Sequence, residues 1–156
     1  MSAASNYLEL KVLDHTLRYG TAPYTGASTL YVALYTGTAG TVLTALESGT
    51  NSASGTGNWG YYEVTTSGTA YARQSVTFAA ASSGSSASSS TVTFPVATAN
   101  YDSTTGSLGA TVTCIAICDA STSGNVLFFG QLTTSKTVSS GDQFTVSSGN
   151  LTVSLA

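Results

Sequence analysis

The stretch Tyr71-Ala-Arg-Gln-Ser-Val-Thr-Phe78 alternates large and small side chains with a period of two, and this alternation predicts a β-strand. It places Val76 and Phe78 on the face that should point into a core. It also carries Arg73, although only 7% of the chain is charged. We interpret Arg73 as a structural charge, which either lies on an exposed or edge face or pairs with a carboxylate such as Glu63.

Other segments on both sides of this stretch show a strand pattern. Residues 30–36 alternate an aliphatic face with a face that carries tyrosines, and residues 110–118 are apolar on both faces, which is typical of a central strand. Further strands are predicted at 91–94, 126–132, 136–138, 143–146 and 151–155. Short strands with a turn roughly every 8–12 residues are typical of antiparallel sandwiches. We therefore predict an all-β fold, an antiparallel, jelly-roll-like β-sandwich with one short N-terminal α-helix.

The one predicted helix covers residues 5–18. Ser5 is a suitable N-cap, and Gly20 is a suitable stop beyond the last turn. Asp14 and Arg18 are spaced i, i+4 in the acid-first order that modestly supports a helix. These signals set the two ends of the helix.

The same helix has an apolar stripe formed by Leu10, Leu13 and Leu17, which recur at i, i+3 and i+7. A short amphipathic helix at a terminus must pack on its own sheet or on a neighbouring subunit. We therefore predict that the stripe is buried in the assembled protein and forms an interface with a partner.

Residues 37–68 lose the strand pattern and become rich in Gly, Thr, Ser and Asn, which predicts a long loop with at most a short hairpin. This segment contains an aromatic cluster of Trp59, Tyr61 and Tyr62. Exposed aromatic side chains suit contact with a protein partner or stacking on a glycan. The other interpretation is that the cluster folds back and covers one end of the sandwich, and the sequence leaves both open.

Length and charge restrict the class of protein. The chain has 156 residues and a net charge of -3, which fits a single domain over 1–156 with the helix at 5–18 and the sandwich at 26–156. Its four basic residues are dispersed, so no basic stripe for nucleic acid is predicted. No apolar run of about 18 residues and no secretion signal is present, so we predict no membrane contact and synthesis in the cytoplasm.

The sequence predicts no catalytic, cofactor-binding or metal-binding residue. Cys114 and Cys118 lie four residues apart on one predicted strand, so their backbones should be separated by roughly 13 Å, too far for a disulfide. We expect buried free thiols. His15 is the only histidine, which argues against a zinc site. Asp119 and Asp142 fit roles in turns rather than in acid–base chemistry.

Several segments together resemble a family of small virion proteins of tailed bacteriophages, often labelled tail-fibre proteins. The matching segments occur in the family's order and span almost the whole chain. They are Tyr7-Leu-Glu-Leu-Lys-Val-Leu-Asp-His-Thr-Leu-Arg18, Leu30-Tyr-Val-Ala-Leu-Tyr35, Tyr71-Ala-Arg-Gln-Ser-Val-Thr-Phe78, Val92-Thr-Phe-Pro-Val-Ala-Thr98, Ile117-Cys-Asp-Ala120, Gly124-Asn-Val-Leu-Phe128, Leu132-Thr-Thr-Ser-Lys-Thr137, Gly141-Asp-Gln-Phe144 and Gly149-Asn-Leu-Thr-Val153.

This resemblance implies a structural protein of the virion that is not an enzyme, with no cofactor. One-domain β-sandwiches of this size also resemble the cement or decoration proteins of phage heads, commonly trimers. We therefore expect a capsid decoration protein that reinforces the head by contacts with its own copies and with the major capsid protein or other virion proteins. The alternative is a tail-fibre or tail-tip module that meets a host surface glycan. Assembly in a reducing bacterial cytoplasm suits the free cysteines.

Overall fold

The protein is described by a computed structural model over residues 3–18 and 23–155. The predicted helix stop at Gly20 lies outside these residues. In chain order the strands are β1 (Ala3–Ala4), β2 (Leu30–Thr36), β3 (Gln74–Val76), β4 (Ser85–Ala87), β5 (Val92–Thr93), β6 (Thr111–Cys118), β7 (Val126–Thr137), β8 (Thr145–Val146) and β9 (Thr152–Ser154). The helices are α1 (Asn6–Leu17) and α2 (Ala39–Ser48), with a 3-10 turn at Trp59–Tyr61.

A five-stranded antiparallel sheet in the order β1-β7-β6-β2-β3 organises the described chain. The remaining strands form two smaller antiparallel ladders, β4-β9 and β5-β8, which are separate from this sheet in their strand pairing. The all-β prediction is confirmed, because antiparallel strands dominate and the helices are short. The predicted central strand at 110–118 is confirmed as β6, which pairs with β2 on one side and β7 on the other.

Each face of the large sheet is covered by its own hydrophobic cluster. On one face, Tyr71, Phe94 and Phe144 form a buried aromatic group, with ring centroids 5.8 Å apart in each successive pair. On the other face, the cluster includes Cys114 and Tyr35 from the sheet and the buried side of α2. Because a strand points alternate side chains to opposite faces, the apolar β6 contributes to both clusters.

The predicted loop over 37–68 is wrong for residues 39–48, which form α2. Ala39, Val42, Leu43 and Leu46 are spaced i, i+3, i+4 and i+7, and this stripe packs on the sheet. The helix signal was obscured by weak helix formers within the segment and by a weak start. Thr38 occupies the N-cap without a side-chain hydrogen bond.

The predicted break between the strands at 126–132 and 136–138 is also wrong, because β7 continues as one strand through residues 133–135. Gln131 pairs with Cys114 and Lys136 pairs with Val112, so four residues of β7 lie opposite Thr113 alone. Extra residues in one strand can be accommodated as a bulge, which locally disrupts the ladder and bends the strand without ending it. The Thr/Ser-rich sequence therefore forms an irregular exposed part of the strand instead of ending it.

Candidate interaction surface

Helix α1 is attached to the sheet at its N-terminal end. The Ser5 amide donates to the carbonyl of Leu127 at 2.9 Å, and the Ser5 hydroxyl donates to the carbonyl of Val126. The Leu8 amide donates back to the Ser5 hydroxyl at 3.3 Å, so the predicted N-cap is confirmed. Farther along, the ring nitrogen Nδ1 of His15 accepts a hydrogen bond of 3.1 Å from the amide of Tyr24. These contacts fix one side of the helix.

The leucine stripe of α1 is exposed in the single chain. Leu10, Leu13 and Leu17 are 65%, 54% and 75% exposed. Leu8 is the buried residue of this helix. The predicted burial of the stripe therefore does not occur within one chain, and its contact with a partner stays a prediction.

An apolar groove of about 530 Å³ runs beside α1. Val12 and Leu13 line its helix side, and the opposite side comes from chain segments far away in sequence. The lining residues there include Tyr24, Ala27, Leu30, Leu127, Phe128 and Leu155. No pattern in the sequence indicated this groove, because its two sides meet only when β7 and the last strand have folded.

The aromatic cluster predicted as a contact surface is largely inside the protein. Trp59 and Tyr62 are each 3% exposed and belong to the cluster between α2 and the sheet. Trp59 makes an edge-to-face contact with Tyr35, with ring centroids 6.4 Å apart. Tyr61 alone of the three is partly exposed. Of the two interpretations that the sequence left open, the structure agrees with the one in which the cluster folds back as a cover, because α2 needs an apolar cover and these rings supply it.

Arg73 forms the centre of a buried polar cluster. Its Nε and Nη2 atoms donate to the two carboxylate oxygens of Glu63, each at 2.7 Å. Its Nη1 atom donates to the carbonyls of Ala120 and Ser123 at 2.9 and 2.8 Å. Its guanidinium carbon lies 5.4 Å from the centre of the Trp59 ring. The pairing interpretation is confirmed, and Arg73 links the turn after β6 to the segment that leads into β3 at one edge of the sheet.

The ionisable groups around this pair are held in unreactive states. Burial lowers the pKa of Arg73, but the hydrogen bonds that it donates to Glu63 and the neighbouring negative charge outweigh that effect, so the net pKa is raised. Burial raises the pKa of the Cys118 thiol to about 12. Burial also raises the pKa of Tyr71, whose hydroxyl donates to Glu63 at 3.2 Å and accepts from the Leu34 amide at 3.0 Å. The Cys118 thiol is therefore neutral, and a neutral thiol is a poor nucleophile. The hydrogen bonds of this network serve the fold.

The two cysteines and the two turn aspartates, Asp119 and Asp142, occupy the positions that the sequence predicts. Both cysteines are free and buried, as predicted. Asp119 accepts from the amide and side chain of Asn125 at 2.6 and 2.7 Å, and Asp142 accepts from the Ser139 amide at 2.9 Å, so their turn roles are confirmed. Within residues 3–18 and 23–155, no three His, Cys, Asp or Glu residues are arranged to hold a metal ion. None of the described helices has the length and apolar character that crossing a membrane requires.

The fold and its surface define a class of protein: a small, mostly antiparallel β structure in which most of the exposed large apolar side chains of the described residues lie on one helix beside a groove. The chain belongs to the family described as podophage GP4 fiber I protein gp80, which matches residues 3–154. A comparison with curated proteins gave no match. The resemblance to phage virion proteins is thereby confirmed, and the protein is a structural component of a bacteriophage particle.

Proposed function

We propose that this protein is a fibre component of the phage particle and acts by contact with other virion proteins. The observation that carries the proposal is the family match over residues 3–154, whose description names a podophage fibre protein. The exposed stripe of Leu10, Leu13 and Leu17 supports a role in assembly, because exposed apolar side chains that lie together commonly mark protein contacts. The function is non-enzymatic in this proposal.

The position in the particle is tested by immunogold labelling of purified virions with an antibody against this protein. The fibre proposal expects gold at the tail and a copy number of a few to a few dozen in quantitative mass spectrometry. Gold distributed over the head surface, with hundreds of copies, would contradict it. Labelling and copy number are independent, so agreement between them is required.

A capsid decoration protein is the second candidate. It is supported by the composition, since only 7% of residues are charged and the surface is built largely from Ser, Thr, Gly and Asn. A weakly charged, hydroxyl-rich surface suits packing into an ordered array on the major capsid protein, with trimers as the expected unit. The copy-number measurement decides between the two positions.

A fibre component could also meet a host surface glycan, but the rings proposed for that contact are mostly buried. Trp59 and Tyr62 are unavailable for stacking unless the α2 cluster opens. Tyr61 is the partly exposed ring, so a glycan contact through Tyr61 is tested by measuring the binding of purified wild-type and Tyr61→Ala protein to host cells. Binding that is lost on Tyr61→Ala, with an unchanged melting temperature, would support a glycan contact.

A further inference from the structure

The exposed large apolar side chains of the described chain are concentrated on one helix. Six such residues are exposed, and four of them, Leu10, Val12, Leu13 and Leu17, belong to α1. A fifth, Leu155, lies across the groove from α1. Val96 alone is elsewhere. This distribution points to one apolar contact face rather than to scattered exposure.

The face contains two complementary shapes side by side. Leu10 and Leu17 protrude from α1 without lining the groove, whereas Val12 and Leu13 form the groove's near wall. Leu13 is therefore shared between the protruding stripe and the concave groove. A molecule that carries both a protruding apolar ridge and an apolar groove on one face can bind a copy of itself reciprocally.

The charges on α1 do not oppose the approach of a second copy. The helix and its C-cap carry two acidic residues, Glu9 and Asp14, and two basic residues, Lys11 and Arg18. They are electrically balanced, so the whole chain's net charge of -3 resides elsewhere. Two copies repel each other overall, but they can approach through α1 without a net charge penalty. A strongly charged partner would gain nothing from this neutral face.

We propose that the α1 face binds a second copy of this chain, with the Leu10/Leu13/Leu17 stripe of one copy seated in the groove of the other. The groove residues Ala27, Leu30, Phe128 and Leu155 receive the stripe. The contact is independent of where the protein sits in the particle. It joins subunits before or during attachment to other virion proteins.

Self-association is measured on the full-length protein by sedimentation velocity and light scattering over the micromolar range. We expect an oligomer that dissociates on dilution. The ridge variant Leu10→Glu/Leu17→Glu and the groove variant Leu155→Glu should each weaken association by about tenfold or more. The matched control Val96→Glu changes another exposed apolar residue, which lies away from this face, and should leave association unchanged.

Mixing the ridge and groove variants tests the reciprocal geometry. The ridge variant retains an intact groove and the groove variant retains an intact ridge, so an equimolar mixture should recover association that neither variant shows alone. Thermal melts of all variants establish that each is folded. Leu17→Ser serves as a milder ridge change if the double variant melts early.

Three results would overturn the proposal. A wild-type protein that stays monomeric at the highest soluble concentration would assign the face to a different virion protein. Association that survives both the ridge and the groove variants would place the self-contact elsewhere. A folded mixture of the two variants that fails to associate would exclude the ridge-in-groove arrangement.

Discussion

The buried cluster around Arg73 and the exposed stripe of α1 are opposites in chemistry and in exposure. The cluster is polar and closed, with the guanidinium making four hydrogen bonds to Glu63 and to two carbonyls. The stripe is apolar and unpartnered within one chain, although its leucines are the residues a core would use. The charged residues Arg73 and Glu63, whose types are common in functional sites, are thus used to stabilise the fold, whereas the leucines of α1 remain available for contact with a partner.

The largest effect on folding is expected for Trp59→Ala. This change removes a large side chain that is 3% exposed and packs on Tyr35 and Arg73. We expect a loss of about 3–5 kcal/mol in the free energy of unfolding. Urea denaturation measures it. A folded variant of unchanged stability would mean that the ring lies outside the core.

Arg73→Met tests the buried ion pair at nearly constant volume. It leaves the Glu63 carboxylate without its partner in a site where the Arg73 and Glu63 side chains are 3% and 13% exposed. We expect a loss on the order of 3 kcal/mol, measured by urea denaturation. Lys136→Met is the matched control, since Lys136 is exposed, and it should change stability by less than about 0.5 kcal/mol.

A double variant sharpens the same comparison. If the loss in Arg73→Met comes from an unpaired buried carboxylate, Glu63→Leu in the same chain should recover most of it. Arg73→Lys should retain little of the stability that Arg73→Met loses, because a lysine cannot make the two parallel hydrogen bonds to Glu63 and also reach two carbonyls. Equal stability of the Lys and wild-type proteins would contradict the bidentate geometry.

High pH should lower the free energy of unfolding through the buried groups near Arg73. Burial raises the pKa of the Cys118 thiol from 9.0 to about 12 and also raises that of Tyr35. The unfolded chain then loses protons first, so stability is complete below about pH 9 and falls as pH rises toward 12, by up to about 1.4 kcal/mol per pH unit for each group. Urea denaturation from pH 7 to 11 measures the slope. Cys118→Ala should reduce the slope, and an unchanged slope would exclude the thiol as its source.

The smallest effect on folding is expected for the α1 stripe. Leu10→Ser/Leu17→Ser should change the unfolding free energy of the dilute protein by less than about 0.5 kcal/mol, since these side chains contact solvent. Leu8→Ala, on the buried side of the same helix, should cost about 2–5 kcal/mol. Similar losses for the two variants would mean that a single chain already buries the stripe.

Part of this structure follows from local pattern. The period-two alternation located β2, the run that is apolar on both faces located the central strand β6, and the N-cap at Ser5 located the start of α1. The spacing of Cys114 and Cys118 was sufficient to exclude a disulfide. Helix α2 was missed although its apolar positions had helical spacing, because Gly40 and the threonines around it have low helix propensity and the deciding stabilisation is packing on the sheet.

The candidate surface was predictable only in part. The stripe of α1 was found because its residues repeat within one helix, whereas the groove beside it joins Tyr24, Leu127 and Leu155 from separate parts of the chain. The exposure of Trp59 was equally undecidable from sequence, because an aromatic ring in a polar segment can either bind a partner or cover the protein's own core. Its burial depends on α2 being in place.

By itself, the sequence determined most of the strands, but not β1 and β4. It also determined α1 with its leucine stripe, the free thiols and the resemblance to phage virion proteins, because each of these depends on the order and spacing of nearby residues. Only the tertiary structure decided that Arg73 is paired with Glu63, that Trp59 is buried and that a groove lies beside α1. Those outcomes depend on contacts between residues that are distant in the sequence. Arg73 and Ser123, for example, are 50 positions apart. Such contacts form only when the sheet brings distant segments together.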